Sequence, residues 1–109
     1  AAFYEAMNEA AAGDALVSIE VSGEDSEAVA AAVRSLLRGE DRLLATRGTL
    51  RVFLVAGGEP GVASFLDRVR DAGVLPPEHE VRSVVVAEGE APLDAFDRLR
   101  SDGQVHQLD

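Results

Sequence analysis

Arg38 and Asp41 stand three residues apart at the end of an apolar helical pattern, and side chains of these types could hold a ligand between them. A guanidinium forks onto phosphate oxygens through parallel N–H donors, and a neighbouring carboxylate accepts N–H groups of the same molecule. The pair also has a plain structural reading. Arg38 is then a cation favourable at a helix C-terminus, and Asp41 a turn residue. The acidic neighbours Asp25 and Glu40 lower the local affinity for phosphate.

Other chemistry is thinner. Gly57-Gly58-Glu59-Pro60 joins an apolar run to a helical one, and a helix N-terminus behind glycines can cradle phosphate. Glu59 would repel the anion, so the segment reads as a loop. His79 and His106 lie far apart and there is no cysteine, so neither a zinc site nor a Ser-His-Asp arrangement is expected. His79, just after Pro76-Pro77, reads as a solvated loop residue. Asp67, Asp71, Asp94, Asp97 and Asp102 fall on the polar sides of helical patterns, where carboxylates face water.

The elements that must position these residues are written in the periodicities. Phe3, Tyr4 and Met7 have helical spacing, and Gly13 stops that run. Ala15 to Val21 is mostly apolar and β-branched, a strand. Ser22-Gly23-Glu24-Asp25 turns the chain, and Asp25 or Ser26 can cap the next helix. Ala28, Val29, Ala32, Val33, Leu36 and Leu37 share one face of it. Arg42 to Thr46 and Leu50 to Ala56 are apolar runs around a Gly turn, a hairpin. Pro60 opens a helix with Val62, Phe65, Leu66 and Val69 inward, and Gly73 with Pro76-Pro77 ends it. Val81 to Ala87 is a strand, apolar on both faces at Val84-Val85-Val86 and therefore central. Pro92 starts a last helix with Leu93, Phe96 and Leu99 inward, Gly103 stops it, and Val105 to Leu108 adds an edge strand.

This order predicts an α+β domain whose inner β-α-β-β-α-β unit is a split βαβ, ferredoxin-like antiparallel sheet with helices packed on one face. At 109 residues the chain supports one core, burying roughly 65% of its unfolded surface. Its first residues read as mid-helix with no initiator Met, as in a piece cut from a longer protein. There is no signal peptide and no apolar run long enough to span a bilayer, so a cytoplasmic domain is expected.

Twenty Asp and Glu face ten basic residues, all Arg, for a formal charge of −10. That field repels phosphate backbones, and no stretch gathers enough Arg to override it. Nucleic acid and anionic membranes are therefore not expected partners. The exclusive use of Arg with abundant Ala, Gly and Val points to a GC-rich genome.

Three segments in order resemble one family. Phe3-Tyr4-Glu5-Ala6 is similar to the start of the first helix of GGDEF domains, the diguanylate cyclases. Leu36-Leu37-Arg38-Gly39-Glu40-Asp41 resembles their Leu-Arg-x-x-Asp segment, which leads into the signature hairpin. Ala95-Phe96-Asp97-Arg98-Leu99-Arg100-Ser101-Asp102-Gly103-Gln104-Val105 resembles their closing helix and strand. The resemblance implies a nucleotidyl-cyclase-type fold and makes Arg38 and Asp41 counterparts of a cyclic di-GMP site, with guanine edges as well as phosphates to be read.

The same resemblance implies lost catalysis. Counted without a gap from Asp41, the signature turn falls on Arg47-Gly48-Thr49-Leu50-Arg51; one inserted residue moves it to Gly48-Thr49-Leu50-Arg51-Val52. Neither contains a carboxylate, and divalent cations need hard oxygen ligands. On the first strand, Ser18-Ile19-Glu20-Val21 replaces the family's Asp-x-Asp, leaving Glu20 as the one plausible ligand. The segment from there to Arg38 is shorter than usual, as if the substrate-binding helix were deleted. No catalytic or metal-ligating residue and no cofactor are expected.

The functional expectation is a catalytically inactive signalling or protein-interaction module that docks another domain or a homodimer partner. The alternatives are a cyclic di-GMP effector using Arg38, Asp41 and Arg68 or Arg70, with weak binding at best for the isolated monomer, and an unrelated ferredoxin-like ligand-binding domain.

Overall fold

The computed structural model describes residues 2–21, 26–46, 48–55 and 57–108. They form, in chain order, α1 (Ala2–Asn8), β1 (Ala15–Val21), α2 (Ser26–Arg34), β2 (Arg42–Thr46), β3 (Thr49–Leu54), α3 (Gly58–Ala72), β4 (His79–Val85), α4 (Pro92–Asp102) and β5 (Gln104–His106). The strands make one antiparallel sheet in the order β2-β3-β1-β4-β5. The fold is α+β and compatible with a ferredoxin-like arrangement. The expected turn at residues 22–25 lies outside the described residues.

Strand β1 runs through the middle of the sheet, and its alternation divides the core. Ala15, Val17, Ile19 and Val21 point to one face, where Val29 and Val33 of α2 and Val62, Phe65, Leu66 and Val69 of α3 cover them with Leu50, Val52 and Val81. Leu16 points to the other face and packs with Phe53, Val84 and Val86 under Phe3 and Met7 of α1 and Ala95 and Leu99 of α4. Helices therefore lie on both faces: α2 and α3, the helices of the inner β-α-β-β-α-β unit, share one, and α1 and α4, to which the sequence reading assigned no face, cover the other. The reason is that Leu16, Phe53 and Val84 form an apolar row on the second face, and such a row needs cover. A fully buried Val, Leu or Phe contributes about 1.5–3 kcal/mol, so neither layer is dispensable.

Local signals set most element ends. Gly73 ends α3 in the left-handed conformation, φ 64°, and donates its N–H to the Arg70 carbonyl. Pro92 occupies the first turn of α4. Helix α2 is shorter than its apolar pattern and ends at Arg34 rather than carrying Leu36 and Leu37. Ser35 Oγ donates to the Ala32 carbonyl at 2.6 Å, and the N–H groups of Leu36 and Leu37 turn to carbonyls three residues back. A Ser side chain competing for helix carbonyls and a tightened last turn stop the helix there. Leu36 and Leu37 still pack against the core, half-buried.

Candidate functional site

Arg38, Asp41 and Arg68 meet. They line one cavity of about 310 Å³ with Gly39, Glu40, Leu54, Val55, Gly61 and Ser64. The loop from α2 to β2 supplies Arg38 and Asp41, and α3 supplies Arg68. Asp41 organises the loop: Oδ2 accepts the Arg38 N–H at 3.1 Å and Oδ1 accepts the Val55 N–H at 3.1 Å. Arg42 braces the same turn, its Nη1 donating to the carbonyls of Gly39 and Asp41, both at 2.9 Å. Asp41 is thus a turn residue, and it fixes where Arg38 leaves the chain.

Arg68 is half-buried, its guanidinium 5.8 Å from the Phe65 ring centroid. Its Nε is buried without a hydrogen-bond partner among the described residues. An unsatisfied buried donor costs about 1–3 kcal/mol until an acceptor reaches it. Arg70, the other candidate, points elsewhere. It is exposed and pairs with Asp67 at 3.1 Å and Asp71 at 3.6 Å on the solvent side of α3. The arrangement can bind an anion through Arg38 and Arg68.

The hairpin is tighter than the expected turn of Arg47 to Arg51. Thr46 pairs with Thr49, leaving two residues in the loop, of which Arg47 lies outside the described residues. Gly48 has φ 71°, and its carbonyl accepts the Val21 N–H at 2.8 Å, which ties the turn to the end of β1. Thr49, Leu50 and Arg51 already belong to β3. Leu50 is fully buried in the α2/α3 layer, and Arg51 points to the opposite face with its guanidinium 5.1 Å from the Phe96 ring centroid. Glu20 is exposed on that second face, opposite Thr49 and Glu80. Among the described residues no three His, Asp or Glu side chains gather as metal ligands.

His79 is placed differently from expectation, whereas His106 falls in the edge strand expected over Val105 to Leu108. His79 opens β4 rather than lying free in a loop, half-buried with Nδ1 at 2.7 Å from the Pro76 carbonyl. His106 of β5 lies with Nε2 at 2.7 Å from Ser83 Oγ, in the wall of a cavity of about 490 Å³. Burial holds the His106 pKa below its usual value, keeping the ring neutral. Sequence reading foresaw no Ser–His contact. Its one signal was Ser83 alone among the valines of β4, a buried hydroxyl that must find a partner. No described residue bonds the other ring nitrogen of His106, so the pair pins β5 to β4 and lacks the orienting group of a nucleophilic triad.

The two-pronged ion pair of Arg98 and Glu90 is structural. Arg98 of α4 donates from Nε and Nη2 to Glu90 at 2.9 and 2.8 Å, and from Nη2 to the Val85 carbonyl at 2.7 Å. Those bonds, then the Ala87 N–H on the same carboxylate, hold Glu90 at a pKa of about 2. No described helix is long and apolar enough to cross a membrane. Comparison with protein-family models, curated proteins and solved structures gives no match.

Proposed function

We propose that this chain is a non-catalytic binding module, a GGDEF-like domain that has lost its cyclase chemistry, and that it works in signalling by holding an anionic ligand against Arg38 and Arg68. The observation that carries the reading is their convergence from separate segments on one cavity, with the Arg68 Nε buried and lacking an acceptor among the described residues. Cyclic di-GMP is the first ligand to try, because the resemblance around Leu36–Asp41 implies it. The finer fold belongs to the same proposal. The order β4-β1-β3-β2, with α2 and α3 as the two crossovers on one face, is what a split βαβ unit of the nucleotidyl-cyclase type would have, with β5 added at its edge. Docking of another domain or a second copy is the other reading, favoured by Tyr4, Leu93 and Val105, which are 45%, 66% and 55% exposed.

Loss of catalysis is inferred from the hairpin. Its loop offers no carboxylate, Leu50 is committed to the core, and Arg51 brings a positive charge to the adjoining sheet face. Incubation with GTP and Mg²⁺ or Mn²⁺ should therefore give no product above a protein-free blank.

Affinity follows from the same geometry. Two charged forks at a wet site contribute at most about 3–6 kcal/mol together. That corresponds to dissociation constants from millimolar to tens of micromolar, since 1 mM requires about −4.1 kcal/mol. Calorimetric titration with cyclic di-GMP should show binding in that range, weakened in both Arg38→Ala and Arg68→Ala and unchanged in Arg70→Ala. Equal binding by all four proteins, or none at millimolar ligand, would sink the effector reading and leave the docking role.

A further inference from the structure

Strand register on the second face arranges side chains in rows. Phe53, Leu16 and Val84 make a buried apolar row; Arg51, Ser18 and Arg82 make the next; Thr49, Glu20 and Glu80 make the last. Neighbours within a row are about 4.5–5.5 Å apart, and successive rows are separated by about 6.6–6.8 Å along the strands. The apolar row is covered by α1 and α4. The two polar rows open, with Leu99 and Arg100 of α4, onto a cavity of about 290 Å³.

Their charges are not all matched. Arg82 donates to Glu80 at 2.6 Å, and Arg100 reaches Asp97 at 3.4 Å. Arg51 has no carboxylate partner among the described residues; the Phe96 ring steadies it from one side. Glu20 has no hydrogen bond or ion pair among them either. One unmatched cation and one unmatched carboxylate thus line one small cavity, on diagonal positions of adjacent strands.

We propose that this cavity binds a small zwitterion of the α-amino-acid class, its carboxylate on Arg51 and its ammonium on Glu20. Charge complementarity selects the occupant. A dianion would meet Glu20 and Glu80, and a polyamine would meet Arg51 and Arg82; an adjacent pair of opposite charges satisfies both rows. Size agrees, because about 290 Å³ lies at the lower limit of small-molecule sites. Phe96 holds the Arg51 guanidinium in place, so less side-chain freedom is lost on forming a fork with a carboxylate. This site is separate from the Arg38–Arg68 cavity, and neither depends on the other.

The test is a nuclear magnetic resonance titration of the 109-residue chain with L-alanine, beside N-acetyl-L-alanine and L-alaninamide, which each keep one charge. Saturable shifts should centre on the amides of Ser18, Thr49, Arg51 and Arg82, with a millimolar dissociation constant. Either single-charge analogue should bind about ten- to a hundredfold more weakly, as the loss of one charged hydrogen-bonding group implies. Arg51→Ala and Glu20→Gln should each weaken L-alanine similarly while the remaining spectrum stays that of the folded chain. The proposal is overturned if L-alanine gives no saturable shift by about 10 mM, if an analogue binds as well as L-alanine, or if either variant binds it unchanged.

Discussion

Glu90 and His106 respond to pH in the same direction for different reasons. Arg98 and the Ala87 N–H hold the Glu90 carboxylate at a pKa of about 2, below its value in the unfolded chain. The folded state thus gives up protons that the unfolded state keeps, and stability rises with pH. The Glu90 contribution is complete above the unfolded pKa of about 4.3 and is lost as pH falls through the folded value. Burial lowers the His106 pKa, so its contribution is complete above about 6.5 and begins to be lost just below that. Thermal midpoints measured from neutral to acid pH should fall in two windows. His106→Gln should flatten the upper one and Glu90→Gln the lower. A single fall, untouched by both variants, would show that neither group is linked to folding.

Residues of this kind also mark how far sequence can be read. Arg38 and Asp41 were legible as a pair through the resemblance to an Arg-x-x-Asp segment, while the choice between Arg68 and Arg70 stayed open until the packing of α3 was seen. Arg68 and Arg70 lie two positions apart, about 200° of rotation, so they flank the inner face of α3 on opposite sides. The apolar phase alone does not say which flank faces the loop after α2, and Arg70 turns out to pair with Asp67 and Asp71. Ser83 and His106, or Glu20 and Arg51, depend on which strands pair and in what register. No local pattern carries that information, although Ser18, Glu20, Thr49, Arg51, Glu80 and Arg82 share one polar parity on three otherwise apolar strands.

At the scale of elements, period and punctuation served where apolar faces and stop residues agreed. Helix α3 kept its predicted inner face and ended at Gly73; α4 began at Pro92, but Leu93, expected inward, is exposed, and Ala95 and Leu99 are its buried residues. Helix α2 did not extend to its last apolar pair, because Ser35 intervened, and that changes what the leucines are worth. Leu50, fully buried between β1 and β2, should cost about 2–5 kcal/mol when cut to Ala. Leu36, half-buried beyond the helix end, should cost clearly less. Denaturant midpoints of the two variants test the order, and equal losses would mean that the loop after α2 is packed as tightly as the sheet. The second helical layer escaped the sequence reading for a related reason. An alternating strand tells that a face is buried, and Leu16 alone in β1 was too little to show that helices would cover the other one.

For the whole molecule the governing number is the charge of −10. Among the described residues, Arg98 pairs with Glu90, Arg82 with Glu80, and Arg70 and Arg100 with Asp67, Asp71 and Asp97 on their own helices. Of these, Arg98–Glu90 is partly shielded; the others lie largely in solvent and are worth about 0–1 kcal/mol each, so together they do not offset the repulsion within the acidic excess. Across the two shorter axes of the domain, 27 and 26 Å, acidic groups on opposite sides lie within one Debye length of each other at low salt, about 30 Å at 0.01 M. At 0.15 M that length falls to about 8 Å, and only near neighbours interact. Unfolding spreads like charges apart, so screening should favour the folded chain. The thermal midpoint should therefore rise as sodium chloride increases from about 0.01 to 0.15 M. Binding at Arg38 and Arg68 is a separate electrostatic balance. Screening weakens their attraction for an anion and also the repulsion from the surrounding carboxylates, so salt affects affinity less than it affects stability. A midpoint that falls over the same salt range would show that the ion pairs around Glu90 and Glu80 outweigh the acidic excess, and would move the source of stability from the apolar layers toward the surface.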